Sequence, residues 1–269
     1  MGTQRKGAER PSVDELLVPF RMKDPAPPAV RVTYPPATAP RAIRGLLLEA
    51  GNILYDDTAW RRWLLRLLMR LGLRAEYDPF FRVFERDFLD DVHCGRRTFD
   101  EAMNAFLVAA GLSAGQADEA CRALESYRRR GDADFRPLIG VRDTITQLHA
   151  TGVTLGVLCN SERSGDVLRQ RLLELLGDSP WTAVISSRDL GCSMPAAACY
   201  RAALAAVKLP AADAAFVGRD AKELRGAKAQ GLATIAFNAD ADAHADVHLR
   251  RFEDLLDLTR FSPARSAAA

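Results

Sequence analysis

What most constrains this chain is the alternation in its second half. From Pro137 onward, short apolar runs trade places with helical patterns: a helix over Gly140 to Ala150, a strand over Val153 to Leu158, a helix over Ser164 to Leu176, a strand over Ala183 to Ile185 and a helix over Ala196 to Val207. A strand over Ala214 to Val217, a helix over Ala221 to Ala229, a strand over Ala233 to Phe237 and a last helix over Phe252 to Leu258 follow. Strands alternating with helices across short loops predict a parallel sheet covered on both faces. A further apolar run, Ile43 to Leu48, stands far upstream and ends in the turn-forming pair Gly51-Asn52. It reads as the first strand, buried on both faces.

Between that strand and the alternating half, the pattern is helical. Trp60, Trp63, Leu64, Leu67, Leu68 and Leu71 recur at three and four, with Arg61, Arg62, Arg66 and Arg70 on the other face, which reads as solvated. Helices are predicted around Asp78 to Asp90, over Ala102 to Ala110 after a Thr98-x-x-Glu101 capping box, and over Ser113 to Arg129. The organisation expected is a tail over 1–41, an α/β core over 42–57 and 136–262, a helical insertion over 58–135 and a disordered C-terminal tail over 263–269. The first tail is crowded with prolines from Pro11 to Pro40, which disfavours regular structure, although Val13 to Phe20 is apolar enough to dock.

Composition excludes more than it proposes. A formal charge of +2 over 269 residues gives no field of one sign, so neither nucleic acid nor a membrane surface is an expected partner. No apolar run is long enough to span a bilayer. The five cysteines, Cys94, Cys121, Cys159, Cys192 and Cys199, form no CxxC pair, which argues against a disulfide framework or a zinc site and for a reducing, cytoplasmic setting. His93, His149, His244 and His248 show no ligand spacing.

Four local sequences, in order, carry a resemblance. GLLLEAGNILYDD (Gly45 to Asp57) is similar to a buried strand ending in Asp-x-Asp-Gly-Thr/Val-Leu; LGVLCNS (Leu155 to Ser161) to a strand ending in Ser or Thr, often followed by Asn-Ser. SSRDLGCSMPAAACYRAAL (Ser186 to Leu204) is similar to Ser-Ser-x-x-Leu-Gly-x-x-Lys-Pro-x-x-x-x-Tyr, and FVGRDAKELRGAKAQGLATI (Phe216 to Ile235) to Val-Gly-Asp-Ser-x-x-Asp-x-x-Gly-Ala. Together they resemble the haloacid dehalogenase-like (HAD) superfamily over roughly Ala42 to Arg260. The resemblance implies a Rossmannoid α/β core with a parallel sheet and an all-helical C1-type cap inserted after the first strand.

The resemblance also implies that the chemistry has been altered. Glu49 takes the nucleophilic aspartate's place, Gly51 that of the acid/base aspartate, Cys159 the hydroxyl's, Met194 the lysine's, and Arg219 and Glu223 the acidic positions of the fourth motif. The family attacks through the aspartate with Mg²⁺ and the lysine neutralising the substrate's oxygens; Gly51, Met194 and Arg219 remove or reverse a positioned charge, Cys159 removes an oxygen-based donor, and Glu49 and Glu223 keep a carboxylate. An extra methylene in Glu49 displaces the attacking oxygen by about 1 Å. A guanidinium at 219 repels a divalent cation by several kcal/mol, since unit charges about 4 Å apart interact by roughly 4 kcal/mol at an effective dielectric of 20. Arg219 is accordingly expected to fork onto Glu49 and Glu223 in the ion's stead. Asp56 and Asp57 lie well past the strand end, and Cys159 has no histidine near it in sequence, so Glu49 is the aligned carboxylate.

Three functions remain open. The first is a pseudoenzyme-like binding or assembly subunit, with no cofactor, contacting another protein through the tail or the cap. The second is a phosphatase- or dehalogenase-type hydrolase of weak or altered activity, for which Mg²⁺ would be needed. The third is a sensor holding an anionic small molecule near Glu49, Asn160, Arg219 and Asp220 without turning it over.

Overall fold

A computed structural model describes residues 43–131, 136–177 and 180–259. The tails at 1–41 and 263–269, and Val13 to Phe20 with them, lie outside the described residues.

The first strand, β1 (Gly45–Leu48), leads into five helices of the inserted segment, here called the cap: α1 (Ala59–Arg70), α2 (Tyr77–Asp87), α3 (Leu89–His93), α4 (Phe99–Ala109) and α5 (Ala114–Gly131). The alternating half follows as α6 (Val141–Ala150), β2 (Thr154–Cys159), α7 (Gly165–Leu176), β3 (Trp181–Ser186), α8 (Ser187–Leu190), α9 (Ala197–Val207), β4 (Ala214–Gly218), α10 (Ala221–Ala229), β5 (Ala233–Ala236), β6 (Val247–His248) and α11 (Leu255–Thr259). The strands form one parallel six-stranded sheet in the order β3-β2-β1-β4-β5-β6.

Because side chains alternate across a strand, β1 feeds both faces. Leu46 and Leu48 join Val157, Val217 and Ile235 in a cluster closed by Val141 and Ile145 of α6 and by Leu168 and Leu172 of α7. Leu47 points the other way, to Leu158 and Phe216, under Tyr200 of α9 and Leu224 of α10. Covering on both faces is why the strands read as continuous apolar runs.

The cap keeps a third cluster of its own, in which Trp63, Leu64, Leu68, Phe81, Phe84, Met103 and Phe106 are buried. Trp63 stacks on Tyr127 at 4.6 Å between ring centroids, fastening α1 to α5. The predicted capping box is present: the Glu101 N–H donates to Thr98 Oγ1 and the Thr98 N–H to Glu101 Oε2 (2.9 Å).

Four local expectations change. The helix expected from Asp78 to Asp90 is two, broken at Phe88, where φ is −127°. The pair Val247–His248 adds a sixth strand, and Phe252 to Asp254 is a 3-10 turn leading into α11. The arginine face of α1 is not wholly solvated: Arg61 pairs with Glu85 of α2 and lies 5.3 Å from the Trp60 and Phe81 ring centroids.

Candidate functional site

Strand order reverses between β1 and β4, the point at which a parallel sheet opens a crevice beyond its carboxyl ends. Glu49 is the first residue after β1 and Arg219 the first after β4, so the topology brings them side by side. The Glu49 N–H continues the ladder to the Val217 carbonyl (2.9 Å), and the Arg219 backbone N–H donates to Glu49 Oε2 (3.3 Å). The expected fork of the Arg219 side chain onto Glu49 and Glu223 is not what forms. Its Nη1 pairs instead with Asp240 Oδ1 at 3.7 Å, because the Asp240 N–H bonds the Arg219 carbonyl (3.2 Å) and carries that carboxylate alongside.

Glu223 lies in the first turn of α10, 8% exposed. Its Oε1 accepts from Asn160 Nδ2 (2.8 Å), while Oε2 is buried without a hydrogen-bond partner. Asn160 follows β2 and clamps Met194 through both main-chain groups: its Oδ1 accepts the Met194 N–H (2.8 Å), and its Nδ2 reaches the Met194 carbonyl (3.1 Å). Asn160 is therefore a strut between two loops. Asp220 caps α10, its Oδ1 accepting the Lys222 and Glu223 N–H groups (2.7 and 3.0 Å).

Removal from water dominates the electrostatics. Desolvation pushes the Glu49 carboxyl up to about 7, with the Arg219 charge and N–H pulling the other way. Glu223 is pushed well above the usual carboxylate range, first by burial, then by Glu49 and Asp220. Burial likewise raises the Cys159 thiol, and the neighbouring Glu49 and Glu223 add to it, so Cys159 is a neutral thiol packed at the end of β2.

Met194 is buried, 4% exposed, ahead of a cis peptide to Pro195. Gly51 has a neighbour the sequence did not suggest: a Cβ built on it would stand 3.5 Å from Asp57 Oδ2. Asn52, at φ 59°, turns the chain and accepts the Asp57 N–H on its Oδ1 (3.1 Å), which brings Asp57 back beside the strand end.

This donor set does not suit the Mg²⁺ that the resemblance implies. A hard divalent ion needs converging oxygens. Here Glu49 Oε2 accepts an N–H, Asp220 Oδ1 is spent on a helix cap, and a guanidinium stands at 219. Among the described residues no group of three or more His, Cys, Asp or Glu is gathered to hold a metal ion.

The cap meets this edge through polar contacts. Arg128 of α5 pairs with Glu162 and lies 4.0 Å from the Phe99 ring centroid; Ser187 Oγ donates to the His93 carbonyl (2.7 Å), and Ser193 Oγ to Asp90 Oδ1 (2.5 Å). A separate groove of about 500 Å³ runs along the cap between α4 and α5, lined by Arg97, Asp100, Asn104, Asp118, Cys121 and Glu125. None of the site residues predicted from sequence lines it.

The profile of haloacid dehalogenase-like hydrolases matches residues 43–231. The chain belongs to the haloacid dehalogenase-like hydrolase family. Solved structures agree on the HAD fold. A HAD-superfamily hydrolase of subfamily IA from Geobacter sulfurreducens superposes with a TM-score of 0.58 at 20% identity, covering 81% of this chain and 96% of that one. A predicted phosphoglycolate phosphatase from Haemophilus somnus gives 0.62 at 17% identity over 81% and 98%. The L-2-haloacid dehalogenase from Xanthobacter autotrophicus with chloropropionic acid covalently bound gives 0.57 at 16% over 81% and 99%. No curated protein matches this HAD chain in sequence. Among the described residues no helix is long and apolar enough to cross a membrane.

Proposed function

We propose that this chain is a non-catalytic member of its family, acting as a binding or assembly subunit that contacts another protein through residues 1–41 or the cap. The observation that carries this reading is Arg219, which holds Glu49 through its backbone N–H and points its guanidinium at Asp240. By resemblance that position belongs to a metal-binding carboxylate. Gly51, Cys159 and Met194 support the same reading, since by resemblance they stand where phosphatase-type relatives carry an acid/base aspartate, a hydroxyl and a lysine; Glu49 and Glu223 keep a carboxylate, one methylene longer than the aspartate of the motif. Burial pushes the Glu49 carboxyl up to about 7, which favours its protonated form and weakens it as a nucleophile.

The test is turnover of a panel of phosphomonoesters and 2-haloacids with Mg²⁺, set beside Glu49→Ala. Equal background rates are expected; turnover abolished by Glu49→Ala overturns the proposal. A partner that co-purifies with the full chain and is lost on deleting 1–41 supports the tail as the contact, whereas one retained points to the cap.

A hydrolase of altered activity is favoured by one observation, the Asp57 carboxylate beside Gly51. On that reading Glu49 attacks and Asp57 supplies the proton, so Asp57→Asn as well as Glu49→Ala abolishes turnover. A thermal shift with inorganic phosphate, without turnover, would instead favour the sensor.

A further inference from the structure

Two of the five cysteines face one another. Cys192 lies in the loop after α8, and Cys199 in the first turn of α9; their Sγ atoms are 3.5 Å apart. Cys199 is fully buried, whereas Cys192 is partly exposed. The Cys199 Sγ also approaches the Cys192 carbonyl at 3.3 Å, which holds the thiol toward that loop. Cys94 stands near enough to bear on Cys199 electrostatically, but its own Sγ turns to Asp90 Oδ1 (3.9 Å).

A disulfide requires about 2.05 Å between sulfurs, so closure needs a relative movement of about 1.5 Å. Gly191, at φ 66°, adjoins Cys192 and gives that side of the pair a backbone free to adjust. The partner on α9 is fixed by the core.

We propose that Cys192 and Cys199 form a reversible disulfide, with a hydroperoxide as oxidant. The Cys192 thiol gives up its proton and its sulfur attacks one peroxide oxygen: an S–O bond forms, the O–O bond breaks, and the departing alkoxide, or hydroxide from hydrogen peroxide, takes up the thiol's proton and leaves as an alcohol or water. This leaves a sulfenic acid on Cys192. The Cys199 sulfur then attacks the Cys192 sulfur; the S–S bond forms, the S–O bond breaks, and the hydroxyl leaves as water with the Cys199 proton. Two thiols are oxidised and one hydroperoxide is reduced.

The pair flanks Ser193, which bonds the cap at Asp90, and Met194, which Asn160 clamps, so the disulfide ties off the loop on which both contacts depend. The proposal does not depend on whether Glu49 is catalytic.

Both cysteines fall between Arg188 and Arg201, so trypsin releases them in one peptide, Asp189 to Arg201. The full chain is exposed to stoichiometric hydrogen peroxide, alkylated, digested and weighed. The expected product is this peptide lighter by two hydrogens and unalkylated, restored to a doubly alkylated form by dithiothreitol. Cys192→Ser is expected to leave Cys199 alkylated after the same treatment. A doubly alkylated peptide after oxidation, a sulfinic acid on Cys192 beside an alkylated Cys199, or a cross-link to the Asp87 to Arg96 peptide that carries Cys94 each overturns the assignment.

Discussion

Glu49 and Arg219 are joined by a backbone hydrogen bond rather than by a side-chain ion pair, and this decides how the site responds to pH. The Glu49 carboxyl is raised from 4.5 to about 7 in the fold, so the folded state holds its proton more tightly than the unfolded chain. Its contribution to stability is fully present below about pH 4.5 and is lost as pH rises through about 7. Glu49→Gln keeps an acceptor for the Arg219 N–H and removes the titration. It is expected to flatten the fall in stability across that window and to stabilise the protein at pH 7 by about 1–3 kcal/mol in denaturant unfolding. A wild-type-like pH profile in the variant would contradict this. Arg219→Ala removes the partner of Asp240 and the cation that offsets Glu49 and Glu223. With both members of the pair partly exposed, the expected loss is about 1 kcal/mol, or a melting temperature lower by about 2–4 °C. An unchanged melting temperature would sink the role given to Arg219. Sequence made Glu49, Asn160, Arg219 and Glu223 visible because each falls within one of the motifs that resemble the family's. It did not reveal Asp240, which reaches the site from a loop after β5, and it set Asp57 aside as lying past the strand end, since the turn at Asn52 that brings it back leaves no periodic signal.

At the level of elements, the best-predicted pieces were those with both an apolar period and a boundary signal. Helix α4 is an example, framed by Thr98 and Glu101, as is α10, begun by Asp220. The break at Phe88 escaped notice because Phe84, Leu89 and Val92 continue an apolar spacing across it. Strand β6 escaped because two residues carry no alternation. The contact between α9 and α10 offers a sharp test. A Cβ on Gly226 would meet Tyr200 Oη at 2.7 Å and Pro195 Cβ at 2.8 Å, and the Tyr200 hydroxyl already donates to the Glu223 carbonyl at 2.7 Å. Alanine gains up to about 1 kcal/mol over glycine inside a helix, but overpacking costs about 1–3 kcal/mol and displaces that hydrogen bond. Gly226→Ala is therefore expected to lower stability by about 1–2 kcal/mol. A gain would mean that the two helices part freely.

The described residues form two apolar clusters on one sheet and a third in the cap, with polar contacts between sheet edge and cap. Arg128 supplies the ion pair among those contacts, holding Glu162 from a cap in which it covers Phe99. Arg128→Ala is expected to speed amide exchange around Glu162 and along the end of α5 by about tenfold, while the cap's own cluster keeps the global unfolding temperature within a few degrees. Unchanged exchange at both places would show that Ser187 and Ser193 hold the cap unaided. The central place of β1 has a further consequence, for biosynthesis. Gly45 pairs with Thr154 on one side and Ala214 on the other, partners made roughly a hundred or more residues later, so the first strand leaves the ribosome with nothing to pair with. The cap, built from neighbouring helices, is made next and has its partners at hand. Each new molecule thus carries a sheet's central strand, Leu46 to Leu48, exposed until the other half of the chain arrives, and that interval is where nascent copies are most open to chaperones and to one another.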